Sequence, residues 1–179
     1  MRLTYRSLVT SAFVAGSLFL GAQAASAATS TATLTAGTLT MTAPANFSYP
    51  VTELTGLAMP PLSSSFSVTV NGAGTKSGWN LQASIGTLTD AAGDAIPAGG
   101  HIIHDAQIAP LAGTTGPTNT IASYGTAIPT TSGVKIFSAA ANTGRSESTE
   151  TFNTLLTIPL DTAEGTYTTA LTVSLVAGP

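Results

Sequence analysis

Cysteine is absent from the 179 residues, which removes disulfides and every thiolate metal site from consideration. Charge is nearly as scarce. Asp, Glu, Lys and Arg make up 7% of the chain, where an ordinary domain carries about 25%. Five cations in the whole sequence form no cluster able to neutralise phosphates, so nucleic acid is excluded as a partner. There is no basic amphipathic helix to lie on a membrane surface. Aromatic residues amount to 6%, with a single tryptophan. A sustained period of 3.6 residues is also missing, which argues against helical architecture.

At the N-terminus, Arg2 and Arg6 precede an apolar stretch from Leu8 to Leu20, and Ala25-Ser26-Ala27 closes it with small residues. This pattern predicts a secretory signal peptide over residues 1–27 with cleavage after Ala27, Ala22-Gln23-Ala24 being the rival site. The apolar core is shorter than the about 20 residues of a spanning helix, and nothing later in the chain resembles one. A secreted, extracellular protein without stable membrane insertion is expected. Residues 28–179 are then one domain, and a chain of that length buries roughly 68–70% of its unfolded surface without crosslinks. Lys76, Lys135 and Arg145 face eight acidic residues, a net charge of −5, so hydroxyls must supply most of the solubility.

What remains is Thr, Ser, Gly and Ala in short apolar alternations punctuated by Gly and Pro, which reads as all-β. The first candidate strand runs from Ala32 to Met41 and changes parity at Gly37, where a bulge is expected. Phe66, Val68 and Val70 form a second alternation, ended by the turn signal Asn71-Gly72. Trp79, Leu81, Ala83 and Ile85 share one face of a third, with Asn80, Gln82 and Ser84 on the other. Asp90 and Asp94 bracket a turn, and residues 101–111 suit another strand. Residues 112–132 read as a long surface loop, a length that is uncommon and often functional. Val134 to Ala140 is a further strand. Phe152, Thr154, Leu156, Ile158 and Leu160 alternate along the next, and Tyr167, Leu171, Val173 and Leu175 line one more. Seven or eight strands in a chain of this size predict an immunoglobulin-like antiparallel β-sandwich.

Catalytic signals are weak. No Gly-x-Ser-x-Gly elbow sits in a strand-to-helix setting, and Glu147, Glu150, Asp161 and Glu164 read as solvating charges at turns and strand ends rather than a glycosidase pair. His101 and His104, three apart on a strand, fall on opposite faces and lack an HExxH context, so no metal site is assigned. Asp90 and Asp94 lack the alternating oxygens of a calcium loop. The expectation is a non-enzyme without cofactors.

Taken together, Phe66-Ser67-Val68-Thr69-Val70-Asn71-Gly72, Ser77-Gly78-Trp79-Asn80-Leu81, the Asp90–Asp94 turn followed by Ile96-Pro97-Ala98-Gly99, and Gly165-Thr166-Tyr167 leading to Leu171-Thr172-Val173-Ser174-Leu175 and Pro179 resemble the WxL domain family. The resemblance runs from about Thr31 to Pro179. Members are extracellular domains of Gram-positive bacteria that associate noncovalently with the cell wall through peptidoglycan. Residues 28–179 are thus expected to be a WxL-like β-sandwich domain whose structural motif is Trp79, Leu81, Tyr167, Leu171, Val173 and Leu175. The family usually repeats Trp-x-Leu in the final strand. Here Val173-Ser174-Leu175 keeps the apolar spacing without the indole, the mark of a divergent relative.

Two roles remain open for Trp79. An indole offers a flat apolar face and one N–H donor, which suits stacking on a glycan ring, yet its parity with Leu81, Ala83 and Ile85 suits a core. Wall-binding candidates are therefore Trp79, with Asn80 and Gln82 on the opposite and presumed wet face, and Tyr124 in the long loop. Binding would be multivalent, many weak contacts along a repetitive polymer. The alternative is a structural surface or fibre subunit that assembles with itself or other surface proteins by strand addition, since the Thr-rich stretch 29–42 carries none of the charges that guard sheet edges.

Overall fold

Phe66, Val68 and Val70 are buried while Ser65, Ser67 and Asn71 between and beside them are exposed, so this segment has the period of two that one covered face imposes on a strand. The same logic recurs through the chain. The structure is a computed structural model that describes residues 32–42, 46–125, 127–130 and 133–179; the expected signal peptide lies outside these. Leu34–Pro179 forms one compact unit.

The strands are β1 (Thr40–Thr42), β2 (Leu62–Asn71), β3 (Trp79–Ile85), β4 (Leu88–Thr89), β5 (Ala95–Ile96), β6 (His101–Pro110), β7 (Val134–Ala139), β8 (Glu147–Leu156) and β9 (Leu171–Ala177). A single 3-10 turn, Ala98–Gly100, precedes β6, and no α-helix occurs among the described residues. β1-β2-β8-β6 form a four-stranded sheet, β7-β3-β9 a three-stranded one, and β4-β5 a small hairpin. Every pairing is antiparallel.

The two larger sheets share one core. Phe66 and Phe152 stack within the four-stranded sheet, with centroids 5.2 Å apart, and Trp79 and Phe137 stack at 5.2 Å within the other. Phe137 then meets Phe152 edge-on across the gap at 6.4 Å. Offset and edge-on contacts of this kind add to area burial because ring edges are positive and faces negative. Val68, Val70, Leu81, Ala83, Ile85 and Ile103 complete the core, which is the packing of an all-β sandwich. A smaller cluster of Leu88, Ile96 and Leu156, with Tyr49, Leu62 and Tyr167 against it, closes one end.

Turn chemistry follows the sequence closely. Asn71 Oδ1 accepts from the Ala73 amide, and Ala73 and Gly74 both take positive φ. Asp90 Oδ1 accepts from the amides of Ala92, Gly93 and Asp94, so its side chain fixes the β4–β5 turn.

Four strand expectations are corrected. Of the stretch Ala32 to Met41 only Thr40 and Met41 are in strand, and Leu34 is 93% exposed; among the described residues no strand pairs with residues 32–39, so alternation alone has nothing to bury there. β8 begins at Glu147 and ends at Leu156, earlier than the run Phe152 to Leu160 implies, because its first turns carry inward polar groups that look like surface. β9 begins at Leu171, and Tyr167 instead packs in the end cluster, since the chain there pairs Thr168 with Thr89 of β4. β6 is one residue shorter than expected and carries a bulge between Ile103 and Asp105.

Candidate functional site

Trp79 is 0% exposed. Its indole stacks on Phe137 and its Nε1 donates to the Gly144 carbonyl oxygen at 3.0 Å. Both halves of the amphipathic ring are used internally, so no face is left for a glycan. Leu81 is equally buried on the same side of β3. Asn80, expected on a wet face, is 4% exposed and donates through Nδ2 to the Gly178 carbonyl oxygen at 2.8 Å. Gln82 is half-buried and donates to Asn80 Oδ1, with Gly133 lying against its side chain. The outer face of the three-stranded sheet is therefore covered around β3 by the segment after β9 and by the end of the long loop, a crossing that local periodicity does not encode. Tyr124 is half-buried and accepts a hydrogen bond from Asn119 Nδ2 at 2.6 Å. Leu171, Val173 and Leu175 point toward the core but remain half-exposed.

Two titratable groups are buried beneath the four-stranded sheet. His101 is 1% exposed, and burial pushes its imidazole down to about 4, so it is neutral. The Tyr49 hydroxyl donates to Thr154 Oγ1 at 3.0 Å, and Thr154 in turn donates to the Ser64 carbonyl oxygen at 3.2 Å. With its single proton committed, Tyr49 accepts from His101 Nδ1 at 3.1 Å, which assigns the proton to Nδ1 and leaves Nε2 without a partner among the described residues. Alternation from the inward His101 and Ile103 leaves His104 outward in solvent, as expected for residues three apart on a strand, so the two imidazoles do not share a site. No three His, Asp or Glu side chains gather among the described residues.

Glu150 is the larger correction. It is 0% exposed, not a solvating charge, because it has the inward parity of Phe152 and Thr154 on a strand flanked on both sides. Ser148 Oγ donates to its Oε1 at 2.6 Å while Oε2 has no partner among the described residues. Burial pushes its carboxyl up to about 7. Glu147, Asp161 and Glu164 are exposed.

The outward face of β2, β8 and β6 was not singled out by any motif. Ser63, Ser65, Ser67 and Thr69 of β2 lie opposite Leu155, Asn153, Thr151 and Thr149 of β8. Ser67 and Thr151 hydroxyls bond at 2.8 Å, Thr69 and Thr149 at 3.0 Å. Asn153 Nδ2 donates to Asp105 Oδ1 of β6. An open depression of about 700 Å³ crosses this face, lined by Asn46, Ser63, Ser65, His104 and Asn153. The signal was available in the sequence as the second parity of β2 and β8, polar at every position but Leu155.

No family model and no curated protein matches the chain. Among solved structures, a family 123 glycoside hydrolase from Clostridium perfringens, described in a study of glycolipid glycan hydrolysis, shares 16% identity at a TM-score of 0.34. The match covers 64% of this chain and 18% of that one.

Proposed function

We propose that this is an exported, noncatalytic protein of the bacterial cell surface, an immunoglobulin-like sandwich of WxL type, which associates noncovalently with peptidoglycan through the outer face of its four-stranded sheet. One observation carries the reading: that face presents Ser65, Ser67, Thr69, Thr149, Thr151 and Asn153 as a nearly uncharged sheet of hydroxyls and an amide. Hydroxyls and amides both donate and accept, so they match the hydroxyls and amides of a glycan–peptide polymer without the desolvation cost of a charge. Single contacts of this kind are weak, and a repetitive polymer adds them through effective concentration. The N-terminal pattern over residues 1–27 supports export. The roles assigned to Trp79, Leu81 and Val173-Ser174-Leu175 in this reading are structural, in line with the burial of the indole.

The test is retention of the purified protein on insoluble peptidoglycan. Retention above an unrelated β-sandwich of similar charge supports the reading, and retention equal to that control rejects it. A second reading, assembly by strand addition, is favoured by the state of the β9 edge.

A further inference from the structure

Each large sheet ends in two edge strands, and three of the four edges are blunted. β1 is three residues long. The β7 edge is occupied by residues 118–120: Thr120 N donates to the Ser138 carbonyl oxygen, Ala140 N donates to that of Thr118, and Asn119 bridges to Ala139. β6 carries a bulge, ends in Pro110, and is met at its start by Gly125, whose N donates to the Ile103 carbonyl oxygen, and by Ala127, which bridges to Ile102. Bulges, prolines, short strands and covering loops are the usual devices that stop sheet edges from pairing.

β9 has none of them. It is a regular seven-residue strand, Leu-Thr-Val-Ser-Leu-Val-Ala, without charge or proline, and among the described residues it pairs with β3 alone. At one end Ala170 O accepts from Gly86 N, and at the other Gly178 N donates to Gly78 O. Even-numbered residues thus turn their backbone groups toward β3. By alternation, Leu171, Val173, Leu175 and Ala177 turn theirs to the free edge. The inward side chains of Leu171, Val173 and Leu175 are left half-exposed, and Val176 is 39% exposed on the outer face.

We propose that β9 is a homodimerisation edge, pairing antiparallel with β9 of a second copy about a two-fold axis at Ser174. This goes beyond wall association and does not depend on it. The strand is self-complementary in that register. Val173 faces Leu175 of the other copy and Leu171 faces Ala177, with both members of each pair directing N–H and C=O at one another. Inward apolar residues meet inward apolar residues, so the core continues across the axis, and outward Thr172 meets Val176. With no charge on either copy's strand, nothing repels a second copy and nothing selects a charged foreign strand. The contact is isologous, so it closes at two.

Sedimentation velocity of the purified protein over a concentration series tests this. The expected result is a shift from monomer mass to twice that mass, with no larger species. A monomer at every concentration, or an open-ended ladder, overturns it. Ser174 is exposed on the outer face, so Ser174→Lys leaves the core intact while setting two like charges opposite each other, about 4.5–5.5 Å apart at Cβ. Ser174→Lys and Ser174→Glu are each expected to sediment as monomers with the circular dichroism of the parent, and to form a dimer when mixed. Dimerisation of either variant alone that equals the parent's, or failure of the mixture to pair, overturns the assignment to β9.

Discussion

Trp79 Nε1 and the Gly144 carbonyl oxygen, 65 residues apart, are joined by a buried hydrogen bond of 3.0 Å. Gly144 has φ +58, and a Cβ there would meet Pro117 Cβ at 2.8 Å and Trp79 Nε1 at 3.0 Å. The indole, the β7–β8 turn and the long loop thus close on a site with no room for a side chain.

Trp79→Ala is accordingly expected to lose about 3–5 kcal/mol of stability, the range for emptying a buried aromatic site. Parent fluorescence should be blue-shifted and resistant to acrylamide. Gly144→Ala should red-shift the emission and lower the urea midpoint, because clash and backbone strain act together. A quenchable indole in the folded parent would contradict this geometry.

His101 and Glu150 give opposite pH dependences. The imidazole is lowered from 6.5 to about 4 in the folded protein, so the unfolded chain binds the extra proton and stability falls as pH drops from 6.5 toward 4. The carboxyl is raised from 4.5 to about 7, so the folded chain binds the extra proton and stability falls as pH rises from 4.5 toward 7. Each effect alone spans about 3 kcal/mol. Between pH 4.5 and 6.5 the two slopes cancel, and urea midpoints of the parent should be nearly flat. Glu150→Gln should expose a stability that climbs with pH over that window, and His101→Asn one that descends.

Tyr49→Phe should cost about 1–3 kcal/mol, because it strips the acceptor from His101 Nδ1 and the donor from Thr154 at once, leaving buried groups unpaired. Nitrogen-15 spectra of the parent should show the Nδ1–H tautomer of His101, and a proton on Nε2 would break the inferred donor chain.

On the outer face, the double change Thr69→Ala with Thr149→Ala removes a bonded hydroxyl pair and should alter stability by less than about 0.5 kcal/mol, as surface changes usually do. Peptidoglycan retention should nonetheless fall. Unchanged retention would remove this patch from the binding face.

The inward teeth of β2, β3 and β9 were legible in the sequence because apolar side chains alternating with polar ones leave one arrangement that hides them; β7 buries four residues in a row, Ile136 to Ala139, and shows no such alternation. Polar residues in the core were not. Glu150 and Ser148 look like surface in any local window, and their burial follows from strands distant in sequence, Glu150 lying between Val68 of β2 and Ile108 of β6. Asn80 and Gln82 were misplaced for the same reason: their cover comes from Gly178 and Gly133. The hydroxyl face of β2 and β8 was written in the second parity, but it becomes a continuous patch only once their register is known.

Pairing at long range also governs how the chain must fold. β3 sits between β7 and β9 and β8 between β2 and β6, and the Asn80 amide waits for Gly178, 98 positions downstream. Almost no pairing is local enough to form early, so loop closure precedes reward and folding belongs to the slow, millisecond-to-second regime of about that order seen for all-β domains. A chain built this way stays loose until its distal strands arrive, which makes every early stop in synthesis a source of unpaired, sticky β-segments.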